Sequence, residues 1–293
     1  MGGFCRATGR CIGVGKCRAQ SGAMCPSYQA TQEEEYSTRG RDHLLREMVR
    51  GEVIKDGWDN KDIADSFEHC LSCKACKTEC PTQVDIATYK AEFMAAHYAH
   101  KRRPLSHYPL AYIGNLLPKL SRFSSVVNKL QTGITGQLAQ KFLGLSDAKG
   151  LPKLAPQSFN GWARKNANRQ DQQFHWFGEQ DQPTVVLWAD SVNNHYRPTL
   201  LQSAVNVLLK SGHQVAVAKQ HFCCGRPLYE YGFLAQALKQ LTLILDGFHS
   251  KLPSECSVIV LEPSCLSVFK DELLSAFPDD TRALDLSERA KTL

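Results

Sequence analysis

The chain has 293 residues, 43% of them hydrophobic and 22% charged, which is enough for two domains with ordinary hydrophobic cores. No apolar run approaches the roughly 18 residues that span a bilayer, and no apolar stretch opens the sequence, so neither a transmembrane helix nor a secretory signal is predicted. Without either segment, the expected location is the cytoplasm. The net charge of +6 is spread along the chain apart from the basic run Lys101–Arg103, which we interpret as a solvated helix end, with contact to nucleic acid or an acidic membrane as the minor alternative.

Helical patterns fill the first part of the chain. Residues 33–50 have acids in the first turn and basic residues later, as the helix dipole favours. Residues 60–69 form a second, shorter amphipathic pattern. Residues 85–103 carry apolar side chains at helical spacing until Pro104 ends the pattern. We therefore expect cysteine-bearing loops between helices.

Two segments interrupt these patterns. Residues 105–131 are apolar and contain prolines, so they pack either against their own domain, which is the more common case, or against a partner or a membrane surface. Residues 145–182 are rich in Asn, Gln, Asp and Lys and are predicted to be an irregular linker.

Short β-branched strands alternate with helices beyond this linker. The predicted strands are 184–189, 214–218 and 257–262. Their continuous apolar character favours a parallel sheet. The predicted fold class is therefore α plus α/β, with an N-terminal α-helical ferredoxin-like domain over residues 1–144, a linker over 145–182, and a parallel-sheet α/β cysteine-rich domain over 183–293.

Twelve clustered cysteines in a long chain of this kind indicate metal ligation or redox chemistry rather than disulfides. Four of them form a C-x2-C-x2-C-x3-C-P motif: Cys70, Cys73, Cys76 and Cys80. This spacing is typical of bacterial ferredoxins, in which thiolates surround a 4Fe-4S cluster and backbone N–H groups turn toward its sulfides. Structural zinc normally uses two separated ligand pairs and is the weaker alternative.

A second, imperfect run near the N-terminus ends in Cys25-Pro26, just as the first ends in Cys80-Pro81. In two-cluster ferredoxins the fourth cysteine of a run ligates the other cluster. The predicted ligands of one cluster are therefore Cys25, Cys70, Cys73 and Cys76, and those of the other are Cys11, Cys17 and Cys80.

Val14 stands where the second run needs its middle ligand, and valine cannot bind iron. Cys5 could replace it from upstream, or the site could hold a three-iron cluster, take a non-cysteine ligand or stay empty. Inert thiols at Cys11 and Cys17 are a further alternative. One 4Fe-4S cluster is expected, and a second depends on this missing ligand.

Several motifs in fixed order carry a family resemblance: CIGVGKCR, MCPSYQATQEEEYSTRGR, the ferredoxin run, CCGRPLYEYG and LEPSCLSVFKDEL. From about Cys11 onward the chain resembles the C-terminal electron-transfer half of bacterial FAD-linked oxidases of the D-lactate and D-2-hydroxyglutarate dehydrogenase type. The helical region is also similar to the iron-sulfur subunits of glycolate oxidase, anaerobic glycerol-3-phosphate dehydrogenase and succinate dehydrogenase. The STRGR run at residues 37–41 either caps a helix or pairs with a flavin subunit.

The resemblance implies an oxidoreductase that transfers electrons. FAD on a partner or missing domain would oxidise a D-2-hydroxy acid, and the clusters would pass the electrons to a quinone or another carrier. The chain lacks the family's flavin-binding half and its second Cys-Cys-Gly region, so we expect a fragment or subunit that is not active alone. A flavoprotein partner is expected, and oligomerisation and contact with the inner face of the membrane are further expectations.

A second cysteine site is predicted at the sheet. Cys223, Cys224 and Gly225 follow the second predicted strand, and Cys265 follows the third. Parallel strands deliver their C-terminal ends to one edge, so the three thiols are expected to meet. Arg226 would favour their thiolate forms and is predicted to contact a cofactor.

Here the chain resembles the Cys-Cys-Gly domains of heterodisulfide reductase. The alternative function is therefore a thiol/disulfide redox subunit in which these three cysteines are catalytic. Their plainest interpretation is as small apolar residues at strand ends. Asp190 and His195, near the end of the first strand, are weaker acid-base candidates. A regulatory iron-sulfur switch would need a concentrated basic face, which the sequence lacks.

Overall fold

The computed structural model describes residues 3–142, 150–253 and 255–293. Its contacts divide the chain into two units. The first comprises Met1–Arg103 and Leu228–Leu234, and the second comprises Pro104–Pro227 and Ala235–Leu293. The predicted boundary at residues 144 and 145 lies outside the described residues, and the predicted division into domains stays a prediction.

The first unit consists of helices joined by cysteine loops. Its α-helices are α1 (Phe4–Ala7), α2 (Pro26–Thr31), α3 (Thr38–Arg50), α4 (Lys61–Glu68), α5 (Ala75–Glu79) and α6 (Ile86–His97). Short 3-10 turns lie at Lys16–Arg18, Glu34–Tyr36 and Gly57–Asp59.

The three helices predicted from periodicity are present, with different ends. The first begins at Thr38, five residues later than predicted, because the Ser37 side chain accepts a hydrogen bond from the Gly40 amide and caps it. Asn60 and Asp85 cap α4 and α6 in the same way. Helix α6 ends at His97, before the basic run at 101–103.

Large apolar side chains form the core of this unit. Leu45, Ile63, Phe67, Ile86 and Phe93 are each at most 2% exposed. Full burial of such a side chain contributes roughly 1.5–3 kcal/mol. Three cysteines pack in the same core, namely Cys17, Cys25 and Cys76. The cysteine loops are therefore anchored to a rigid helical framework.

The segment Leu228–Leu234 also packs within this unit. The Arg103 guanidinium donates to the carbonyl oxygens of Tyr231 and Gly232 at 2.5 and 3.0 Å. Gly232 has a φ of 71°, and a Cβ atom there would lie 2.6 Å from the Ala95 nitrogen. Glycine is therefore required at this position of the CCGRPLYEYG motif.

The second unit contains a sheet, and helices cover it. Its strands are β1 (Arg169–Gln170), β2 (Phe174–Phe177), β3 (Thr184–Trp188), β4 (Gln214–Ala218), β5 (Ser257–Val260) and β6 (Ala290–Lys291). Its α-helices are α7 (His107–Ala111), α8 (Ile113–Leu120), α9 (Ser124–Leu130), α10 (Ile134–Phe142), α11 (Phe159–Asn166), α12 (Ser191–Tyr196), α13 (Pro198–Lys210), α14 (Arg226–Glu230), α15 (Leu234–Leu243), α16 (Pro263–Ser267), α17 (Leu273–Ala276) and α18 (Thr281–Arg289). Helices α14 and α15 include residues of the first unit. The remaining segments are π-helical turns at Ile244–Phe248 and Val268–Glu272 and 3-10 turns at Ser121–Phe123 and His249–Lys251.

The strand order is β1-β2-β4-β3-β5-β6. The three predicted strands are parallel neighbours, so the α plus α/β class is confirmed. The sheet is mixed, because β2 pairs antiparallel with β4. Strand β2 and helix α11 lie in the predicted linker, where the short run FHWF, three aromatic residues and a histidine, stands between polar stretches.

Both faces of the sheet are buried. Val186 and Trp188 belong to one hydrophobic core, whereas Val185 and Leu187 belong to the other. Burial on both faces explains why the strands are continuously apolar. The carboxyl ends of β3, β4 and β5 meet at one edge, where α/β proteins place their sites.

The apolar segment 105–131 forms helices α7, α8 and α9. Ala111 and Leu117 are buried, whereas Leu105, Phe123 and Leu130 are between 57% and 67% exposed. The predicted packing of this segment against its own domain therefore holds for some of its apolar side chains and not for others. In the part of the chain that the structure describes, no helix is long and apolar enough to cross a membrane.

Candidate iron-sulfur and thiol sites

Four cysteines line one cavity in the first unit. They are Cys25, Cys70, Cys73 and Cys76. The fourth cysteine of the motif, Cys80, is not among the described residues that line this cavity. The set of four is the one that the ligand-exchange rule predicts. Iron ligation by these thiols stays a prediction.

Three cysteines line a second cavity in the same unit. They are Cys11, Cys17 and Cys80. Val14 lines this cavity as well, and Cys5 is absent from its described lining. Cys5 is exposed on α1. The structure thus supplies three thiols here and does not place Cys5 as the fourth.

The two cysteine loops share a backbone conformation. Left-handed residues flank the middle position of each loop: Ser72 (φ 50°) and Lys74 (φ 60°) in one, Gly13 (φ 79°) and Gly15 (φ 77°) in the other. Successive residues of this kind turn backbone N–H groups toward a common concavity. Val14, 61% exposed, therefore occupies the position that Cys73 holds in the complete loop.

Thr38 binds a cysteine sulfur with both its polar groups. Its backbone amide donates to Cys25 Sγ at 2.8 Å, and its hydroxyl lies 2.7 Å from the same atom. Thr38 is the first residue of α3, so the positive end of the helix dipole faces this sulfur. Thr38 also lines both cavities. Within STRGR, Ser37 therefore caps the helix and Thr38 contacts the candidate ligand.

Other cysteine sulfurs receive backbone hydrogen bonds too. The amide of Ile86 donates to Cys76, and the amide of Gly13 donates to Cys11. The amides of residues 82–84 and the Thr82 hydroxyl surround Cys80. Such donors stabilise negative charge on sulfur and raise the reduction potential of a bound cluster.

Burial and hydrogen bonding set the thiol pKa values in opposite directions. Burial raises the pKa of Cys25 to about 11 and that of Cys76 to about 12. Burial also acts to raise the pKa of Cys80, but the hydrogen bonds from residues 82–84 outweigh it and lower that pKa. Ligation requires thiolates, so metal binding at the buried pair must release protons.

Buried cations lie around the four-cysteine cavity. Arg41 is 3% exposed, and its guanidinium donates to the carbonyls of Ser66 and Tyr36 and to the Ser27 hydroxyl. Lys74, on the cavity loop, pairs with Asp85 at 3.3 Å. Positive charge beside four thiols favours an anionic occupant.

The donor set fits iron-sulfur clusters. Thiols with N–H donors around them suit an iron-sulfur group, in which the chain ligates iron and its amides face sulfide. Among the described His, Cys, Asp and Glu residues, no group of three or more is arranged to hold a metal ion directly. The thiols instead border cavities on the loops described above.

The thiols of the second unit meet at the sheet edge. Cys265 Sγ lies 3.0 Å from Cys224 Sγ, and Cys223 hydrogen bonds to Cys224. The parallel-strand geometry therefore brings the three cysteines together as expected. A Cβ atom at Gly114 would lie 2.3 Å from Cys223 Sγ, so glycine leaves room for this thiol. Their predicted catalytic role stays a prediction.

The surroundings of Cys223 and Cys224 favour the protonated thiols. The hydrogen bond with Cys224 and burial raise the pKa of Cys223 well above its usual value. Cys223 acts to lower the pKa of Cys224, but the hydrogen bond with Cys265 and burial raise it well above normal. This direction is opposite to the one predicted from Arg226. The guanidinium of Arg226 is instead paired with buried Glu272 at 2.5 Å.

The acid-base candidates near this edge have different roles. Asp190 caps α12 by accepting hydrogen bonds from the Asn193 amide and side chain, both at 2.8 Å. His195 is buried and packs against the His221 ring, with centroids 5.7 Å apart. His221 contacts Ser191, which hydrogen bonds to Cys223. His221 is not among the residues predicted from the sequence, although a polar residue shortly after β4 is a signal for the sheet edge.

Comparison with known proteins agrees with this geometry. Residues 7–84 match the 4Fe-4S dicluster domain family. The D-2-hydroxyglutarate dehydrogenase of Pseudomonas putida is 24% identical over 298 residues, which cover 89% of this chain and 29% of that protein. One subunit of the anaerobic glycerol-3-phosphate dehydrogenase of Escherichia coli is 25% identical over 267 residues, which cover 75% of this chain and 65% of that polypeptide.

A shorter similarity covers the cysteine loops. The glycolate oxidase iron-sulfur subunit of Escherichia coli is 30% identical over 74 residues, 25% of this chain and 16% of that protein. The chain spans less than a third of the length of the D-2-hydroxyglutarate dehydrogenases that it matches. No solved structure matches it. Through residues 7–84 the chain is thus similar to 4Fe-4S dicluster domains, and the predicted resemblance to FAD-linked oxidases of the D-2-hydroxyglutarate dehydrogenase type and to related iron-sulfur subunits is confirmed.

Proposed function

We propose that this chain is the electron-transfer part of a FAD-linked 2-hydroxy-acid dehydrogenase. It accepts electrons from a flavoprotein that oxidises a D-2-hydroxy acid and passes them to a quinone or another carrier. The supporting observation is the pair of thiol-lined cavities, one with four cysteines and one with three, within a 4Fe-4S dicluster domain. The names of the relatives suggest the hydroxy-acid donor.

The residues of the chain would hold and tune the redox groups. Iron-sulfur clusters supply one-electron chemistry when bound. Cys25, Cys70, Cys73 and Cys76 would ligate one of them. Thr38 donates to the sulfur of Cys25, and Arg41 lines the same cavity. Both groups favour the extra negative charge of the reduced state.

Iron and sulfide analysis of the anaerobically purified chain, with EPR, tests the cluster assignment. About eight irons per chain are expected if both cavities are filled, and about four if only the four-cysteine cavity is. Zinc, or no metal, in a colourless preparation would contradict the proposal.

Addition of the flavoprotein then tests the route of electrons. With D-2-hydroxyglutarate and that partner present, we expect the EPR signal of reduced clusters to appear, and it should be absent without the partner. A loaded chain that stays oxidised under these conditions would argue against this electron donor.

The thiol/disulfide alternative is favoured by one distance, the 3.0 Å between Cys224 Sγ and Cys265 Sγ. Joining these sulfurs would release two protons and two electrons, which a disulfide substrate would take up as its S–S bond breaks to give two thiols. The raised pKa values of Cys223 and Cys224 oppose it, because the thiolate is the reactive form. Alkylation that stopped turnover without removing iron would nevertheless support this alternative.

A further inference from the structure

A polar cavity of about 550 Å³ lies in the second unit. Its lining includes His195 on α12, which follows β3, and both Lys219 and His221, which follow β4. It therefore lies at the carboxyl ends of β3 and β4. Ligands of open α/β sheets bind outside the carboxyl ends of the strands, and the volume is in the range of small-molecule sites.

The lining of this cavity is cationic. Four basic side chains contribute to it: Arg122, Arg164, Lys165 and Lys219. None of the described lining residues is acidic. A concave surface with one sign of charge concentrates ions of the opposite sign, so the cavity favours an anion.

Buried histidines in the lining have unsatisfied ring nitrogens. His175 and His195 are each 4% exposed. Within the described residues, neither ring nitrogen of His195 has a hydrogen-bond partner, and Nδ1 of His175 and of His221 also lacks one. A buried polar atom without a hydrogen-bond partner is destabilising, so a ligand that supplies partners to these atoms is favoured in this cavity.

The tautomer of His221 follows from its contacts. Its Nε2 lies 3.0 Å from the carbonyl oxygen of Gly114 and must donate to it. Its Nδ1 can therefore donate to a ligand only after the ring takes up a proton. His195 faces no such restriction, because neither of its nitrogens has a hydrogen-bond partner among the residues that the structure describes.

The surroundings keep the histidines neutral without a ligand. Burial, together with His221, lowers the pKa of His195 to about 4. Burial also lowers the pKa of His175, with Lys219 and Arg164 adding to the effect. Asp171 opposes it, but its carboxylate already accepts hydrogen bonds from the amides of Gln173 and Phe174 and from the Trp176 indole. An anion in the cavity would favour protonation of these rings.

We propose that this cavity binds a small organic anion with two or more carboxylate or phosphate groups. The basic side chains supply the charge complementarity, and the histidine N–H groups supply buried donors to its oxygens. His221 Nε2 lies 3.3 Å from Ser191 Oγ, and Ser191 hydrogen bonds to Cys223, so the bound anion lies next to the three-thiol site. Binding does not require the clusters.

Isothermal titration calorimetry on the full chain tests this site, with citrate and pyrophosphate as probes at constant ionic strength. At least one probe is expected to bind with a Kd of about 1 mM or tighter. The probe that binds tighter identifies carboxylate or phosphate as the recognised group. Absence of binding by both probes would overturn the proposal.

Charge-neutralising variants locate the binding. Lys219→Gln and Arg164→Gln are each expected to weaken binding about tenfold or more. Lys210→Gln, an exposed lysine at the end of α13 outside the cavity, should leave binding unchanged. Equal affinity in all three variants would place the anion elsewhere and refute the site.

Proton uptake tests the histidines independently. At pH 6, titrations in two buffers of different ionisation enthalpy should differ in heat, because binding raises histidine pKa values. His195→Gln should reduce that difference, with its fold checked by circular dichroism. Heats that are independent of the buffer would contradict proton uptake by the histidines when the anion binds.

Discussion

Thr38 is the side chain whose replacement reports most directly on the four-cysteine cavity. Thr38→Val removes the hydroxyl 2.7 Å from Cys25 Sγ and keeps the backbone N–H donor and the side-chain shape. The reduced state is expected to lose about 1 kcal/mol of stabilisation with this hydrogen bond. For one electron this lowers the reduction potential by roughly 40 mV, as measured by redox titration with EPR.

A matched control distinguishes this effect from a change in helix stability. Thr31→Val removes an exposed hydroxyl of α2 that donates to the Ser27 carbonyl and accepts from the Glu33 amide, away from both cavities. Its potential should equal that of the wild type. A Thr38→Val potential that is unchanged or higher would show that the hydroxyl does not act on a ligating sulfur.

Val14 stands where a cysteine would give the second cavity a fourth thiol. Since its loop already has the backbone conformation of the complete loop, Val14→Cys should add a ligand without refolding the loop. We expect iron in the second cavity to resist removal by a chelator better than in the wild type. Val53→Cys, an exposed thiol away from both cavities, is the control. Equal iron loss from both variants would contradict this prediction.

His195 makes stability depend on pH. Burial and the neighbouring His221 lower its pKa from 6.5 to about 4, so the unfolded chain binds more protons than the folded chain between these values. Stability is therefore fully present above pH 6.5 and decreases as the pH falls toward 4. Between pH 6.5 and 5 the loss is roughly 2 kcal/mol. Denaturant unfolding at both pH values should show a smaller loss in His195→Gln, and an equal loss would contradict this assignment.

Helix α3 is positioned at the element scale by a close backbone contact. A Cβ atom at Gly40 would lie 2.0 Å from the Glu34 carbonyl oxygen. Gly40→Ala should therefore push the Glu34–Tyr36 turn away from α3 and destabilise the chain by about 1–3 kcal/mol. Denaturant unfolding measures this, with Gly150→Ala as the control because a Cβ there meets open space. Similar denaturation midpoints for both variants would show that the Glu34–Tyr36 turn moves away from α3 without loss of stability.

The main elements could be predicted from the sequence because their patterns are local. The strands at 184–189, 214–218 and 257–262 are runs rich in β-branched residues. Such continuous apolar runs are typical of strands that are buried on both faces. Strand β2 could not be predicted in this way, because FHWF, a run of three aromatic residues and a histidine between polar segments, forms a strand through its pairing with β1 and β4. The start of α3 depends on a cap at Ser37, whereas periodicity alone extends it to residue 33.

At the scale of the whole molecule, cysteines far apart in sequence share one cavity. Cys25→Ser should deplete iron from the four-cysteine cavity, and Cys80→Ser should deplete it from the other, although Cys80 belongs to the intact motif. Iron analysis and EPR of each variant show which of the two cluster signals is lost. Cys5→Ser is the control and should retain the wild-type iron content. Loss of the same signal in both test variants would contradict the exchange of ligands.

The cysteine spacing predicted this site because ligand geometry is encoded in the loop itself. It could not predict Thr38 or Arg41, since their contacts depend on how α3 packs against the loops. The same limit applies to the cationic cavity. His175, His195 and Lys219 are far apart in sequence and meet only through the order of the strands.

The first turn of α3 borders both cysteine cavities, through Thr38. The two redox centres would therefore share one source of positive potential. The negative charge of an electron on one centre would offset that potential. The reduction potential of the other centre would therefore be lower once the first centre is reduced. Reduction of the two centres would then be anticooperative, with midpoint potentials further apart than those of two isolated centres. Such a pair favours passing each electron on rapidly over storing two electrons at once.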